Sequence, residues 1–114
     1  MKCITMGHKV QFAGNDVELL GNEIKVGVKA PAFAGVGIGS KPVEFKGGDG
    51  KIHIFSIFPS IDTPVCSLQA GRFNAVASNL DQRVEIMAIS CDLPFALDRY
   101  CGAHGIDRMT MCSD

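Results

Sequence analysis

The chain has 114 residues, with eleven Lys and Arg against twelve Asp and Glu, so its formal charge is −1, and it shows no basic run. That balance excludes the electrostatic footprint of a nucleic-acid binder or of a protein drawn to an acidic membrane surface. No apolar stretch approaches the ~18 residues a spanning helix needs, and the N-terminus lacks the apolar core and small-residue cleavage site of a signal peptide, so the expected compartment is the cytoplasm.

The length allows one small domain over 1–114. Residues 8–20 alternate loosely between apolar and polar, and Gly14-Asn15-Asp16 predicts a β-hairpin turning at those three positions. From 34 to 50 the chain is rich in glycine and reads as loops around a short strand at Pro42–Phe45. It lacks the strand-to-helix glycine spacing of a phosphate-binding loop. Residues 51–58, Lys-Ile-His-Ile-Phe-Ser-Ile-Phe, read as a buried strand. A helix is expected from 64 to about 79, with Val65, Leu68, Phe73, Val76, Ala77 and Leu80 on one apolar face. Val84–Ser90 is a second apolar run of strand length. Pro94 then suits the first turn of a shorter helix that Gly102 is expected to terminate, and Cys112 stands in an apolar strand pattern. Strand, helix, strand, helix with apolar strands predicts right-handed βαβ units on a mainly parallel sheet.

Five cysteines at irregular spacing do not form a secreted disulfide framework; in a reducing compartment such residues are free, metal-binding or redox-active. Cys66 stands where the strand at 51–58 hands over to the following helix, with Thr63 as a plausible N-cap and Pro64 at the first helical position. A thiol in the first turn of a helix faces unpaired backbone N–H groups and the positive end of the dipole, an arrangement that favours the nucleophilic thiolate. Arg72, six residues on, falls about 240° around the helix and points away from that thiol. Cys91, Cys101, His104 and Cys112 lack the paired close spacings of a structural zinc site, so no metal is expected. His8 and His53 are isolated, and Asp62 reads as a turn former.

The string Phe58-Pro59-Ser60-Ile61-Asp62-Thr63-Pro64-Val65-Cys66 resembles the active-site signature of the peroxiredoxins, in particular the thiol peroxidases (atypical two-cysteine peroxiredoxins). A second block, Ile89-Ser-Cys-Asp-Leu-Pro-Phe-Ala-Leu-Asp-Arg-Tyr-Cys101-Gly-Ala-His-Gly105, is similar to that family's resolving-cysteine segment, and weaker similarity runs from Val10 to Asp114. The resemblance implies an α/β, thioredoxin-like fold with an N-terminal β-hairpin. It implies reduction of hydrogen peroxide and alkyl hydroperoxides without metal or organic cofactor. Cys66 would attack, Thr63 would hydrogen-bond the thiolate and the peroxide, and Pro59 would shield the pocket. Cys101 would close an intramolecular disulfide that thioredoxin reopens. It further implies a homodimer, and a family arginine, further strands and a closing helix downstream of residue 114, so that the chain reads as C-terminally truncated. Cys91 stands where the family has a small or apolar residue and is expected to pack inside; Cys3 and Cys112 receive no role. The rival reading is a non-catalytic thiol switch or interaction module, or an inactive fragment, on the same scaffold.

Overall fold

The computed structural model describes residues 7–114; Cys3 lies outside them. The chain divides into two compact units, Met1–Ala30 and Pro31–Asp114. The first holds an antiparallel hairpin of β1 (Lys9–Phe12) and β2 (Asn15–Glu18), with Val10 opposite Val17 and Phe12 opposite Asn15. Its turn is Ala13-Gly14, one residue earlier than the sequence reading, because Asn15 and Asp16 already belong to β2. Both turn residues take positive φ, 50° and 80°, the two-residue geometry whose twist matches that of the flanking strands. The Asn15 side chain donates to the Ala13 carbonyl at 3.3 Å across the turn.

The second unit contains β3 (Phe33–Gly37), β4 (Pro42–Phe45), β5 (Ile52–Phe58), β6 (Val84–Ser90) and β7 (Thr110–Ser113), with helices α1 (Pro64–Ala77) and α2 (Pro94–His104). The five strands lie in the order β4-β3-β7-β6-β5. β5, β6 and β7 run parallel, as expected, whereas β3 pairs antiparallel with both β4 and β7. β3 itself contradicts the loop reading of this glycine-rich stretch. Its glycines mark a close approach rather than a loop: a Cβ at Gly35 would stand 2.5 Å from the Ser113 carbonyl oxygen and closer still to the Cys112 sulfur.

The chain steps from β5 to β6 to β7 in one direction, and right-handed crossovers then carry both helices to one face of the sheet. The core forms there, from Phe58, Ile61, Cys66, Ala70, Ala88, Leu97, Tyr100 and Met111. A second cluster joins Phe33, Phe45 and Phe55, with Phe45 edge-on to Phe55 at 4.9 Å.

Two helix expectations change. The apolar face expected on α1 is only partly covered: Val65, Leu68 and Val76 are 74%, 59% and 51% exposed and Phe73, Ala77 and Leu80 are half-buried, while Cys66 and Ala70 are buried. Small residues four apart fill the side of α1 that faces the core, and the larger apolar stripe is rotated partly outward. α2 also runs through Gly102 and stops at Gly105, which adopts φ 64°, ψ 36°. A glycine is tolerated inside a helix at about 1 kcal/mol, but the left-handed C-terminal cap favours one strongly.

Replacing Gly35 by Ala is expected to destabilise the unit by about 1–3 kcal/mol, because the obstructing atom is Ser113 backbone. Urea unfolding monitored by circular dichroism measures the loss.

Candidate active site

β5 delivers the chain to Pro59, which is exposed, and to Ile61, which is buried under the core. Thr63 then takes extended φ −76°, ψ 139° and caps α1, its Oγ1 accepting from the Cys66 N–H at 3.3 Å. The Thr63 hydroxyl donates its own proton to the Ser60 carbonyl at 3.1 Å. Pro64 opens the helix, so the N-cap and first-position assignments hold, and Cys66 is the third helical residue. Cys66 is only 9% exposed and sits within the core cluster. Cap, helix start and buried thiol form one short unit.

What holds this unit in place comes from a residue that sequence reasoning missed. Asp92, between β6 and α2, accepts from the Ser60 hydroxyl at 2.8 Å on Oδ1. Its Oδ2 accepts from the Ile61 N–H at 2.7 Å and the Ser90 hydroxyl at 2.8 Å. The Ser60 oxygen in turn accepts from the Asp62 N–H at 3.1 Å, and the Ser113 hydroxyl of β7 donates to the Asp92 carbonyl at 2.5 Å. Burial opposes ionisation of Asp92, but the Ile61 N–H, the Ser60 and Ser90 hydroxyls and the charge of Arg99 outweigh it and hold the carboxyl below its usual value of 3.8. The available signal was an aspartate just past an apolar strand and just before a helix-opening proline. Nothing in that local pattern says that two of its donors lie some thirty residues earlier. Asp62, read as a turn former, also pairs with Arg99 of α2 at 2.9 Å; both side chains are exposed, and such a pair contributes about 0–1 kcal/mol.

α2 brings the second cysteine. Cys101 is half-buried and packs against the same core cluster that contains Cys66. Burial, and secondarily the charge of Asp98, push its thiol above 9.0. Tyr100, beside it, donates its hydroxyl to the Ser67 carbonyl at 2.7 Å and accepts from the Ser67 hydroxyl at 3.2 Å. The immediate neighbours of the two cysteines are thus bonded to each other. Cys66, Cys91, Cys101 and Cys112 are all free thiols.

Other sequence expectations fall out differently. Arg72 is exposed on the outward side of α1, with Leu68 and Val76. Cys91, expected to pack inside, is exposed at the end of β6, and Cys112 is buried in β7. His53 is not isolated: its Nε2 lies 2.9 Å from Asp49, its Nδ1 lies 3.8 Å from Glu85, and its ring meets Phe45 edge-on at 5.0 Å. Among the described residues the group Asp49, His53 and Glu85 is close enough to share an ion, whereas Cys91, Cys101, His104 and Cys112 are not drawn together.

A capped cysteine in the first turn after a parallel β-strand, on a mixed sheet with both helices over one face, defines a thioredoxin-like thiol scaffold. Residues 26–114 match the AhpC/TSA family, and the chain belongs to it. It is 45% identical over 105 residues to the thiol peroxidase of Halalkalibacterium halodurans, covering 92% of this chain and 63% of that protein. It is 48% identical over 106 residues to the thiol peroxidase of Clostridium acetobutylicum, covering 93% and 63%. Among solved structures, a peroxiredoxin-like protein from Aquifex aeolicus matches with a TM-score of 0.87 at 34% identity, over 96% of this chain and 63% of that one. The thiol peroxidase from Chromobacterium violaceum shares the fold with a TM-score of 0.75 at 17% identity, over 96% and 64%. The chain thus spans about 63% of the length of these two curated relatives.

The Asp92 arrangement carries a pH signature. A carboxylate with a depressed folded pKa contributes stability that is complete above its unfolded value and lost as pH falls through the folded one. Asp92→Asn is therefore expected to lower stability at pH 7 by about 1–3 kcal/mol. That deficit should shrink as pH drops below 3.8, where the native side chain also takes up its proton. Unfolding midpoints of both proteins between pH 7 and 2 give the comparison.

Proposed function

We propose that the chain reduces hydrogen peroxide and alkyl hydroperoxides through its cysteines, with thioredoxin as the recycling dithiol. The observation that carries this reading is Cys66 in the first turn of α1, its amide capped by Thr63, with Cys101 packed on the same core. The Cys66 thiolate attacks the terminal peroxide oxygen; the O–O bond breaks, and the leaving oxygen takes a proton to depart as water or alcohol. Cys66 is left as a sulfenic acid. The Cys101 sulfur then attacks the Cys66 sulfur, the S–O bond breaks, and hydroxide leaves and is protonated to water as the disulfide forms. A reductant dithiol exchanges with that disulfide and restores both thiols. Thr63 and Pro59 frame the site, and no metal or organic cofactor takes part.

The names of the curated relatives support a peroxidase. Five cysteines whose spacing is unlike a secreted disulfide framework support a reducing, cytoplasmic setting. The exposed stripe of Val65, Leu68 and Val76 beside Cys66 supports pairing of two copies into a homodimer.

A short pulse of near-stoichiometric hydrogen peroxide, with thiols alkylated at quench and peptides read by mass spectrometry, tests the reading. The expected product is a Cys66–Cys101 disulfide within seconds. Slow oxidation scattered over Cys91 and Cys112 would instead leave a scaffold without catalysis. Because Cys101 attacks as a thiolate and its pKa is raised above 9.0, the disulfide-forming step is expected to accelerate with pH past that value, measured by quenching the pulse across a pH series.

A further inference from the structure

Cys66 and Cys101 are both held inside helices, at the start of α1 and in the second half of α2, and both are reduced. A disulfide demands strict geometry, with Cα atoms about 4.4–6.8 Å apart and Cβ atoms turned toward each other. Both thiols are free in the positions their helices hold, and the bond closes when one of the two segments gives. The question is which contact decides when it gives.

The Ser67–Tyr100 contact lies at the junction of the two segments. Tyr100 is buried, 4% exposed. Its ring is fixed on both sides of the backbone: it stacks on His104 at 4.2 Å, and the His104 Nδ1 donates to the Tyr100 carbonyl at 3.0 Å. From that fixed position the hydroxyl makes two hydrogen bonds, both to the residue directly after Cys66: one to the Ser67 carbonyl and one from the Ser67 hydroxyl. Ser67 in turn donates its N–H to the Thr63 carbonyl at 3.0 Å, the first regular bond of α1. The first turn of α1 therefore cannot unwind without releasing Tyr100, and Tyr100 cannot shift without pulling on Cys101, the next residue of α2. Of the other ties, Asp62 to Arg99 is exposed and weak. The Asp92 bonds to Ser60 and Ile61 join the loops before the two helices rather than the cysteine turns themselves.

We propose that Tyr100 is a positioning residue for the second half of the reaction: its hydroxyl latches the Cys66 turn to the Cys101 helix, and release of this latch sets the rate at which sulfenic acid is converted to disulfide. The proposal rests on the peroxidase reading given above. The Thr63 cap keeps Cys66 in place for attack on peroxide; the latch acts afterwards, delaying closure. The Tyr100 hydroxyl bonds to Ser67, and it acts through that residue.

The test uses the full chain as wild type, Tyr100→Phe and Ser67→Ala. Each is reduced, mixed with one equivalent of hydrogen peroxide and quenched over milliseconds to seconds with a sulfenic-acid trap and a thiol alkylating agent. Mass spectrometry then follows Cys66 sulfenic acid and the Cys66–Cys101 disulfide separately. Tyr100→Phe keeps the ring and deletes both hydrogen bonds; with about one net bond released, disulfide formation is expected to rise about 5-fold. The peroxide step should change by less than about 2-fold, since its rate depends on Cys66 and Thr63. Ser67→Ala removes only the weaker bond and should give a smaller acceleration, and it decides the matter if Tyr100→Phe fails to fold. An unchanged or slower disulfide step in a folded variant overturns the latch while leaving the peroxidase reading intact. If the wild type itself forms sulfenic acid but no Cys66–Cys101 disulfide, or forms neither, the peroxidase reading fails and the latch with it.

Discussion

The Asp92 carboxylate is the constraint on which the arrangement of the two cysteine segments depends. It sits at the C-terminal end of β6, where the chain leaves the sheet to form α2. It gathers the Ser60 hydroxyl and the Ile61 N–H from the loop that leaves β5 to form α1. Loops at the C-terminal ends of parallel strands are where α/β sheets place their chemistry. Here one charged group ties two such loops together, and the Ser113 hydroxyl adds the end of a third strand, β7. Hydrogen bonds to a charged acceptor are roughly twice as strong as neutral ones, so the two from Ser60 and Ile61 fix the turn before Cys66 more firmly than local turn propensity would. The Thr63 cap then converts that fixed turn into a fixed helix start.

Around this anchor, packing is graded. Ile61, Leu97 and Cys112 are almost wholly buried, and the sheet strands β5, β6 and β7 pair continuously. The segments that carry Cys66 and Cys101 lie over this rigid floor and are held to each other by side-chain hydrogen bonds. Such contacts open more readily than a strand ladder. A helix start that must stay ordered for one step and give way for the next is well served by that division, with the sheet unmoved beneath it.

Much of this was legible in the sequence because it is local. The strand-to-helix handover, the Thr63 cap, Pro64 and the run Val84–Ser90 are written in adjacent residues, and each stands where expected. The failures have physical causes. β3 was hidden because glycine in a strand signals close approach only when the neighbour, Ser113, is known. The core side of α1 was misplaced because periodicity finds an apolar stripe but does not say which stripe faces the sheet. The row of Cys66 and Ala70 is narrower and smaller than the row of Val65, Leu68 and Val76. Gly102 and Gly105 can both end a helix, and only the left-handed backbone at Gly105 distinguishes them. Asp92 and Tyr100 were missed for one shared reason: their partners lie some thirty residues away in sequence, Ser60 and Ile61 for one and Ser67 for the other.

The central claim is that residues 60–67 and α2 form one hydrogen-bonded unit that opens to join Cys66 to Cys101 over an unchanged sheet. Hydrogen–deuterium exchange of the reduced chain and of the chain oxidised with one equivalent of peroxide tests this directly. The account predicts that amides of 60–67 and of Pro94–His104 lose protection by at least about 10-fold on oxidation, while those of β5, β6 and β7 keep it. A Cys66–Cys101 disulfide formed with protection retained in both segments would contradict it. So would loss of protection spread evenly through the sheet.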